Sequence, residues 1–505
     1  MTALAQDKIV AVVGCGAMGA GIAQVAATAG HQVLLFDADA QAPERATAAI
    51  GKFLDAAVAR GRIGATQRAA ILGRIKPCAA LADLAPATLV VEAVVEDLRV
   101  KQKLFGDLEK IVGTEAILAS NTSSLSITAI AHFLERPERI VGMHFFNPAP
   151  LLPLVEVVSG LDTAPAIAAT IFDTAKAWGK QPVHCRSTPG FIVNRCARPF
   201  YAEGLRLLAE RALDPSTLDG VMREAGGFRM GPCELMDLIG HDVNFAVTRV
   251  IHAAFFGDPR YQPSLVQQAL VDAGRFGRKS GRGLYDYRPG AVNPPPATAA
   301  AAPRPNRAII EGHLGPGEGL ISRIERAGIA HTRSESRDGD GAIVLDGAVL
   351  RLTDGRTATI RAAAHERDLV LFDLAYDYGK TTRIALAAAD QASAAAREKA
   401  AGFFQALGVA VSPIDDVPGL VVMRTIAMLA NEAMDAVQAG VASPEGVDLA
   451  MTSGVNYPRG PFAWAEALGL QRLLTVIDHL AGHYGEDRYR ASSRLRRLVA
   501  GAIGR

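Results

Sequence analysis

Through the first third of the chain, short apolar runs recur without polar alternation. They are IVAVV (9–13), QVLLFD (32–37), ATLVVEAVVE (87–96), AILASNTSS (116–124), IVGM (140–143) and LVEVV (154–158). Strands that are apolar on both faces are buried on both, as in a parallel sheet covered by helices. A helical stretch to Gly30 separates the first two runs, and residues 172–290 read as helices around an apolar seam. Further on, AIVL, VLRL, DLVLFDLA and RIALAAAD again look like strands. The pattern predicts an α/β, Rossmann-type doubly wound N-terminal domain followed by an all-α domain. The second half is expected to be a degenerate α/β unit plus a second all-α copy.

The boundary between the halves is compositional. NPPPATAAAAPRP (293–305) is a proline-alanine linker. At an offset of 229 the chain aligns with itself over 408–482 without a gap, pairing PGFIVNR (189–195) with PGLVVMR (418–424). The pair keeps Pro, Gly and Arg but exchanges Asn194 for Met423. AIIEGHLGPGEGLISRIERAG (308–328) aligns with the start of the chain at an offset of 298, with Leu314 in place of Gly16 and Pro316 inside the loop. The two offsets differ by 298 − 229 = 69, so the second half lacks a stretch of that length, and nothing there resembles NTSSL or HFFNP. The expected domains are 1–186 (α/β), 187–290 (helical), 291–306 (linker), 307–412 (degenerate α/β) and 413–505 (second helical copy).

Composition narrows the function. A length of 505 residues with 49% hydrophobic content supports several cores, and a net charge of +1 argues against nucleic acid or a membrane surface as partner. Five cysteines without paired spacing read as free thiols in a reducing, cytoplasmic setting. Residues 9–30 imitate a membrane span in hydropathy, but regular glycines and Gln24 argue for a soluble protein.

The chemistry begins at Gly14-Cys15-Gly16-Ala17-Met18-Gly19, set between strand and helix, with Asp37 closing the strand that follows. Gly14 permits the turn, Gly16 admits a pyrophosphate against the backbone, and Gly19 lets helix and strand approach. The helix N-terminus supplies the anion site. Gly14, Gly16, Ala17, Met18 and Gly19 are therefore expected to hold a dinucleotide. Asp37 accepts hydrogen bonds from a ribose and repels a 2′-phosphate, which favours NAD over NADP. Arg45, Lys52, Arg60 and Arg62 are either phosphate contacts or a solvated helical face. His144 follows one strand-like segment and Glu156 lies in the next, and a hairpin-like return would join imidazole and carboxylate as a base and its orienter.

ASNTSSL (119–125), HFFNP (144–148), LVEVV (154–158), TPGFIVNR (188–195), GPCELMDLIG (231–240) and GRKSGRGLYDY (277–287) together resemble the short-form 3-hydroxyacyl-CoA dehydrogenases. The match is collinear to about residue 288. The resemblance implies a catalytic His144 paired with Glu156, with Ser123 and Asn194 bonding the C3 oxygen and thioester region of an acyl-CoA substrate. It also implies nicotinamide-side contacts from Glu96, Lys101, Asn147 and Lys279. The implied reaction oxidises an (S)-3-hydroxyacyl-CoA to the 3-ketoacyl-CoA, with hydride passing to NAD. The doubled layout resembles the bacterial members that act on 3-hydroxyadipyl-CoA in phenylacetate breakdown. 3-Hydroxybutyryl-CoA oxidation is the alternative, and a non-catalytic NAD-binding structural relative the distant one. Helical domains of this family usually pair in dimers, so an internal pseudo-dimer of the two copies is expected, with a homodimer also open. No metal is expected. Arg198, four positions beyond Asn194 on the same helix face, is a candidate cation for a second substrate carboxylate; otherwise it is a surface arginine.

Overall fold

The computed structural model describes residues 3–336, 340–363 and 367–503. Among these, the strands form an eight-stranded and a seven-stranded sheet. The chain divides into two compact units, Met1–Arg195 with Ala439–Val455, and Cys196–Gln438 with Asn456–Arg505.

The first unit holds β1 (Val10–Val13), β2 (Val33–Phe36), β3 (Ile75–Pro77), β4 (Leu89–Glu92), β5 (Ile117–Ser120), β6 (Ile140–Phe145), β7 (Leu154–Ser159) and β8 (Gln181–Arg186). Their order is β3-β2-β1-β4-β5-β6-β7-β8. All neighbouring pairs are parallel except β6 and β7. β1 lies within the sheet and is buried throughout, each valine contributing roughly 1.5–3 kcal/mol by leaving water. β8 corrects the reading of 172–290 as helical throughout: QPVHCR carries a charged end and a histidine, and joins the sheet as an edge strand. The helix Pro444–Val455, from the second helical copy, covers this edge. It packs on β7 and β8, and a Cβ at Gly454 would meet the Leu154 side chain.

The second unit contains β9 (Arg307–Glu311), β10 (Ala330–Ser334), β11 (Ala342–Leu345), β12 (Ala348–Leu352), β13 (Leu369–Phe372), β14 (Arg383–Ala388) and β15 (Ala410–Pro413). They run in the order β10-β9-β11-β12-β13-β14-β15. This repeats the first sheet with the β2, β1, β5, β6, β7 and β8 slots kept. β11 fills the β4 slot upside down, antiparallel to both neighbours. The shortening of the chain explains why. A parallel strand needs a crossover of a dozen or more residues, and only a few separate β10 from β11. The strand instead forms a hairpin with β12 through Asp346-Gly347, both at positive φ (45° and 93°), the conformation that Asp-Gly favours.

The proline-alanine segment is ordered along the β15 edge: Ala299 N–H donates to Val411 O (2.8 Å) and Ala302 N–H to the Gln405 side chain (2.9 Å).

The helix Arg198–Ala209 packs against its counterpart Val422–Gln438. Arg424, fully buried, joins them: its Nε donates to Glu203 (2.6 Å), and its terminal nitrogens reach Glu210 (3.1 Å) and the Tyr489 hydroxyl (2.9 Å). Removing one member of a buried ion pair leaves the other charge uncompensated. Arg424→Ala is expected to cost about 3–5 kcal/mol, read as a fall in the urea midpoint. A midpoint equal to that of the unsubstituted protein would show that this pair does not hold the helices together.

Candidate active site

The glycine loop behaves as the spacing requires. Gly14 has φ 101°, and a Cβ there would lie 2.5 Å from Ala93 O. A Cβ on Gly19 would lie 1.7 Å from Gly14 O, while one on Gly16 would meet nothing within 4 Å. The loop is thus closed where helix and strand meet and open where a pyrophosphate would approach. The helix Ala17–Thr28 starts at Gly16 with no side-chain cap and no acid in its first turn, leaving its N–H groups to an anion. Beside it is a cleft of about 510 Å³, lined in part by Gly14, Gly16, Asp37, Ala93 and Val95. The Asp37 carboxylate is fixed there by Cys15 N–H (2.7 Å) and Asp39 N–H (3.0 Å). This donor set fits a dinucleotide with an unphosphorylated ribose. Burial, then the Asp37 charge, push the Cys15 thiol up to about 12, so it stays protonated. Arg45 is tied to Asp39 at 2.5 Å.

At the ends of β4 and β5 lies a polar chain that is buried at Glu92, Lys101, Ser120 and Thr122 and exposed at Glu96. Lys101 is 1% exposed and binds Glu92 (2.5 Å) and Glu96 (3.2 Å). The other Glu92 oxygen accepts from Ser120 Oγ at 2.6 Å. Glu96 Oε1 accepts from Thr122 Oγ1 (2.6 Å), Ser123 N–H (3.0 Å) and Ser124 N–H (3.1 Å). Burial works to raise the Glu96 carboxyl, but the Thr122 hydroxyl, the Lys101 charge and these N–H groups hold it below its usual range. Lys101 thus lies buried beside Glu96 and braces it. Asn121 Oδ1 fixes Phe145 N–H (2.8 Å), just ahead of Asn147. An acid ending a buried strand was visible in the sequence; that Lys101 reaches back to it was not.

β6 and β7 pair His144 with Glu156 in register. His144 Nδ1 lies 2.6 Å from Glu156 Oε2, with both residues buried. A carboxylate only accepts, so Nδ1 carries the proton and Nε2 is the basic nitrogen. Glu156 Oε1 accepts from Ile192 N–H (3.0 Å) and Val193 N–H (2.9 Å), so one carboxylate joins the imidazole to the turn before Asn194. That turn passes through Gly190 (φ 75°) and Phe191 (φ 49°). Phe191 and Phe146 flank the imidazole, at centroid distances of 5.9 and 4.5 Å. Asn194 Nδ2 donates to Ser123 O at 3.4 Å. Ser123, His144, Glu156 and Asn194 thus share one region of the first unit. Lys279 belongs to the second unit, where it pairs with Asp242 at 2.6 Å.

The second unit keeps the backbone of this arrangement but none of its four side chains. Phe372 pairs with Leu386, and Asp373 N–H bonds Ala385 O. Asp373 and Ala385 therefore stand where His144 and Glu156 do, each at the same offset of 229. FDLAYD (372–377) occupies the place of MHFFNP (143–148) without resembling it in sequence. Leu118 faces Ile140, and Val349 faces Leu369, which puts Asp354 in the place of Ser123; it is bound to Arg356 at 2.5 Å. Asp373 Oδ2 accepts from Val421 (3.0 Å) and Val422 (2.7 Å), and Oδ1 from Met423 (3.0 Å) and Leu374 (2.8 Å). Burial pushes this carboxyl up to about 6 against the pull of those N–H groups. Leu314 is buried, and a 3₁₀ turn, Gly315–Leu320, replaces the start of the cofactor helix.

Among the described residues, no group of His, Cys, Asp and Glu is arranged to hold a metal ion, and no helix is long and apolar enough to cross a membrane.

Family comparisons agree with this division. Residues 9–188 match the 3-hydroxyacyl-CoA dehydrogenase NAD-binding domain, and 190–287 and 419–505 both match the family's C-terminal domain. Residues 350–418 match the 3-hydroxybutyryl-CoA dehydrogenase reduced Rossmann-fold domain. The 3-hydroxyadipyl-CoA dehydrogenase of Escherichia coli K12 is 45% identical over 97% of both chains. A crystal structure of 3-hydroxybutyryl-CoA dehydrogenase from E. coli K12 substr. MG1655 superposes with a TM-score of 0.90, at 43% identity over 99% of both chains. A probable 3-hydroxybutyryl-CoA dehydrogenase from Deinococcus radiodurans is 42% identical, covering 55% of this chain and 99% of its own. With an open glycine loop, an NAD-type acid at the second strand and a buried His-Glu pair across β6 and β7, the chain belongs to the 3-hydroxyacyl-CoA dehydrogenase family.

Proposed function

We propose that this chain oxidises a dicarboxylic substrate, (S)-3-hydroxyadipyl-CoA, to the 3-keto thioester, with NAD as acceptor, as a step in aromatic-acid breakdown. The observation that carries the reaction type is the 2.6 Å His144–Glu156 pair beside a dinucleotide loop. The substrate assignment is supported by the doubled layout shared along nearly the whole chain with the E. coli 3-hydroxyadipyl-CoA enzyme. 3-Hydroxybutyryl-CoA is the second reading, favoured by the name of the superposed E. coli structure.

In this reading the glycine loop, the N-terminus of the helix Ala17–Thr28 and Asp37 hold NAD, with Glu96 and Asn147 on its nicotinamide side. When bound, NAD supplies the acceptor for the hydride leaving C3. His144 Nε2 takes the C3 hydroxyl proton, so the C–H pair leaves as hydride and the oxygen gains its double bond. Glu156 keeps Nδ1 protonated and stabilises the imidazolium that forms. Ser123 and Asn194 donate to the oxygen as it gains carbonyl character.

The helical copies serve as each other's internal partner, so each chain carries a single working site. All five cysteines are free thiols, which supports a reducing, cytoplasmic setting.

His144→Gln is expected to lower kcat by about 10²–10⁴-fold while leaving NADH affinity within a factor of two; near-normal turnover at neutral pH would remove the residue from the chemistry. Glu156→Gln is expected to lower kcat, because the imidazole loses the acceptor that holds its Nδ1–H and stabilises the charge it gains; an unchanged kcat would mean that Glu156 acts only on the turn. For the cofactor, Asp37→Ala should narrow the NAD/NADP preference in kcat/KM. A wild-type preference for NADP would overturn the ribose assignment.

A further inference from the structure

The second unit encloses a cavity of about 240 Å³ that the reaction does not use, and four arginines line it: Arg198, Arg206, Arg260 and Arg488. The sequence placed Arg198 on a continuous helix face with Asn194. Instead the helix is broken at Ala197, and Arg198 is 5% exposed, so it is no surface arginine. Its guanidinium donates to Thr248 Oγ1 (3.2 Å) and lies over the Tyr201 ring.

The other three guanidiniums are unevenly compensated. Arg206 binds Glu486 at 2.8 Å, and Arg260 reaches Glu432 (3.2 Å) and Asp435. Arg488 has a long share of Glu486, at 3.7 Å, and a hydrogen bond to Gln262 Oε1 at 3.2 Å. Arg260 and Arg488 are 4% and 8% exposed, and the Nε–H of each is buried without a hydrogen-bond acceptor among the described residues. Burial, with the neighbouring Arg206 charge behind it, draws the Arg488 guanidinium below its usual range. The Arg488 Nε faces Glu486 only at 3.7 Å, beyond hydrogen-bond reach, so a closer acceptor in the cavity would be favoured.

We propose that this cavity binds the carboxylate of a short aliphatic acid. Guanidinium forks match carboxylate oxygens in pairs. The volume admits a carboxylate with a few methylenes, not a nucleotide or CoA, and Leu205 and Pro263 supply apolar wall. The ligand is a free dicarboxylate acting as an effector, since every lining residue belongs to the second unit and none to the catalytic group.

The test uses the full-length protein and two variants: Arg488→Gln, which removes the cation, and Gln262→Glu, which offers Arg488 an internal carboxylate and does not depend on losing a buried side chain. Adipate is titrated by calorimetry at fixed ionic strength into the wild type and both variants. Saturable binding to the wild type that weakens at least tenfold in both variants is the expected result. No binding to the wild type, or equal affinity in all three proteins, would show that the cavity is not an anion site.

Discussion

Both halves of this chain are organised around one constraint: the turn that follows Pro-Gly presents buried N–H groups that need an anion beneath them. The turn passes through two consecutive residues at positive φ, Gly190-Phe191 in one copy and Gly419-Leu420 in the other, so its N–H groups point inward instead of entering a helix ladder. A buried unpaired N–H costs about 1–3 kcal/mol, and a carboxylate from the adjoining sheet removes that cost in each copy. In the first half, Glu156 does so with one oxygen and keeps the other for His144. In the second, the shorter Asp373 enters from the position of the missing histidine and commits both oxygens to N–H groups. The structural requirement is the same; only the first solution leaves an oxygen for catalysis.

The same separation of scaffold from chemistry runs through the rest of the second half. Its sheet retains six strand slots, and a tight hairpin fills the β4 slot once the crossover helices are gone. Leu314, buried, stands in the place that open Gly16 holds in the first half. What persists is cover. The helix Pro215–Glu224 packs on β14, as Pro444–Val455 packs on β7 and β8, so each sheet is capped by a helix encoded in the other half. A half that had lost its ligands but kept this reciprocal cover would remain necessary to the half that works.

Much of this could be read from the residues. The buried strands, the glycine loop with Asp37, the duplication and the His144–Glu156 pairing all follow from patterns that act locally or from a hairpin register. Other features are settled in three dimensions. β8 reads QPVHCR and shows no apolar run, because an edge strand needs only one buried face. That Lys101 folds back on Glu92 could not be read from its neighbours in sequence. FDLAYD hid its descent from MHFFNP because only backbone pairing, not side-chain type, was kept. The arginine cavity gathers Arg198, Arg206 and Arg260 from the first helical copy and Arg488 from the second, beyond the reach of any spacing argument.

The central claim is that one half binds cofactor and does chemistry while the other has turned the same framework to support. Calorimetric titration of the intact chain with NADH tests it most directly. One equivalent bound per chain is the expected result. Two equivalents would mean that the leucine-blocked loop still takes a dinucleotide, and that the second half is a working site.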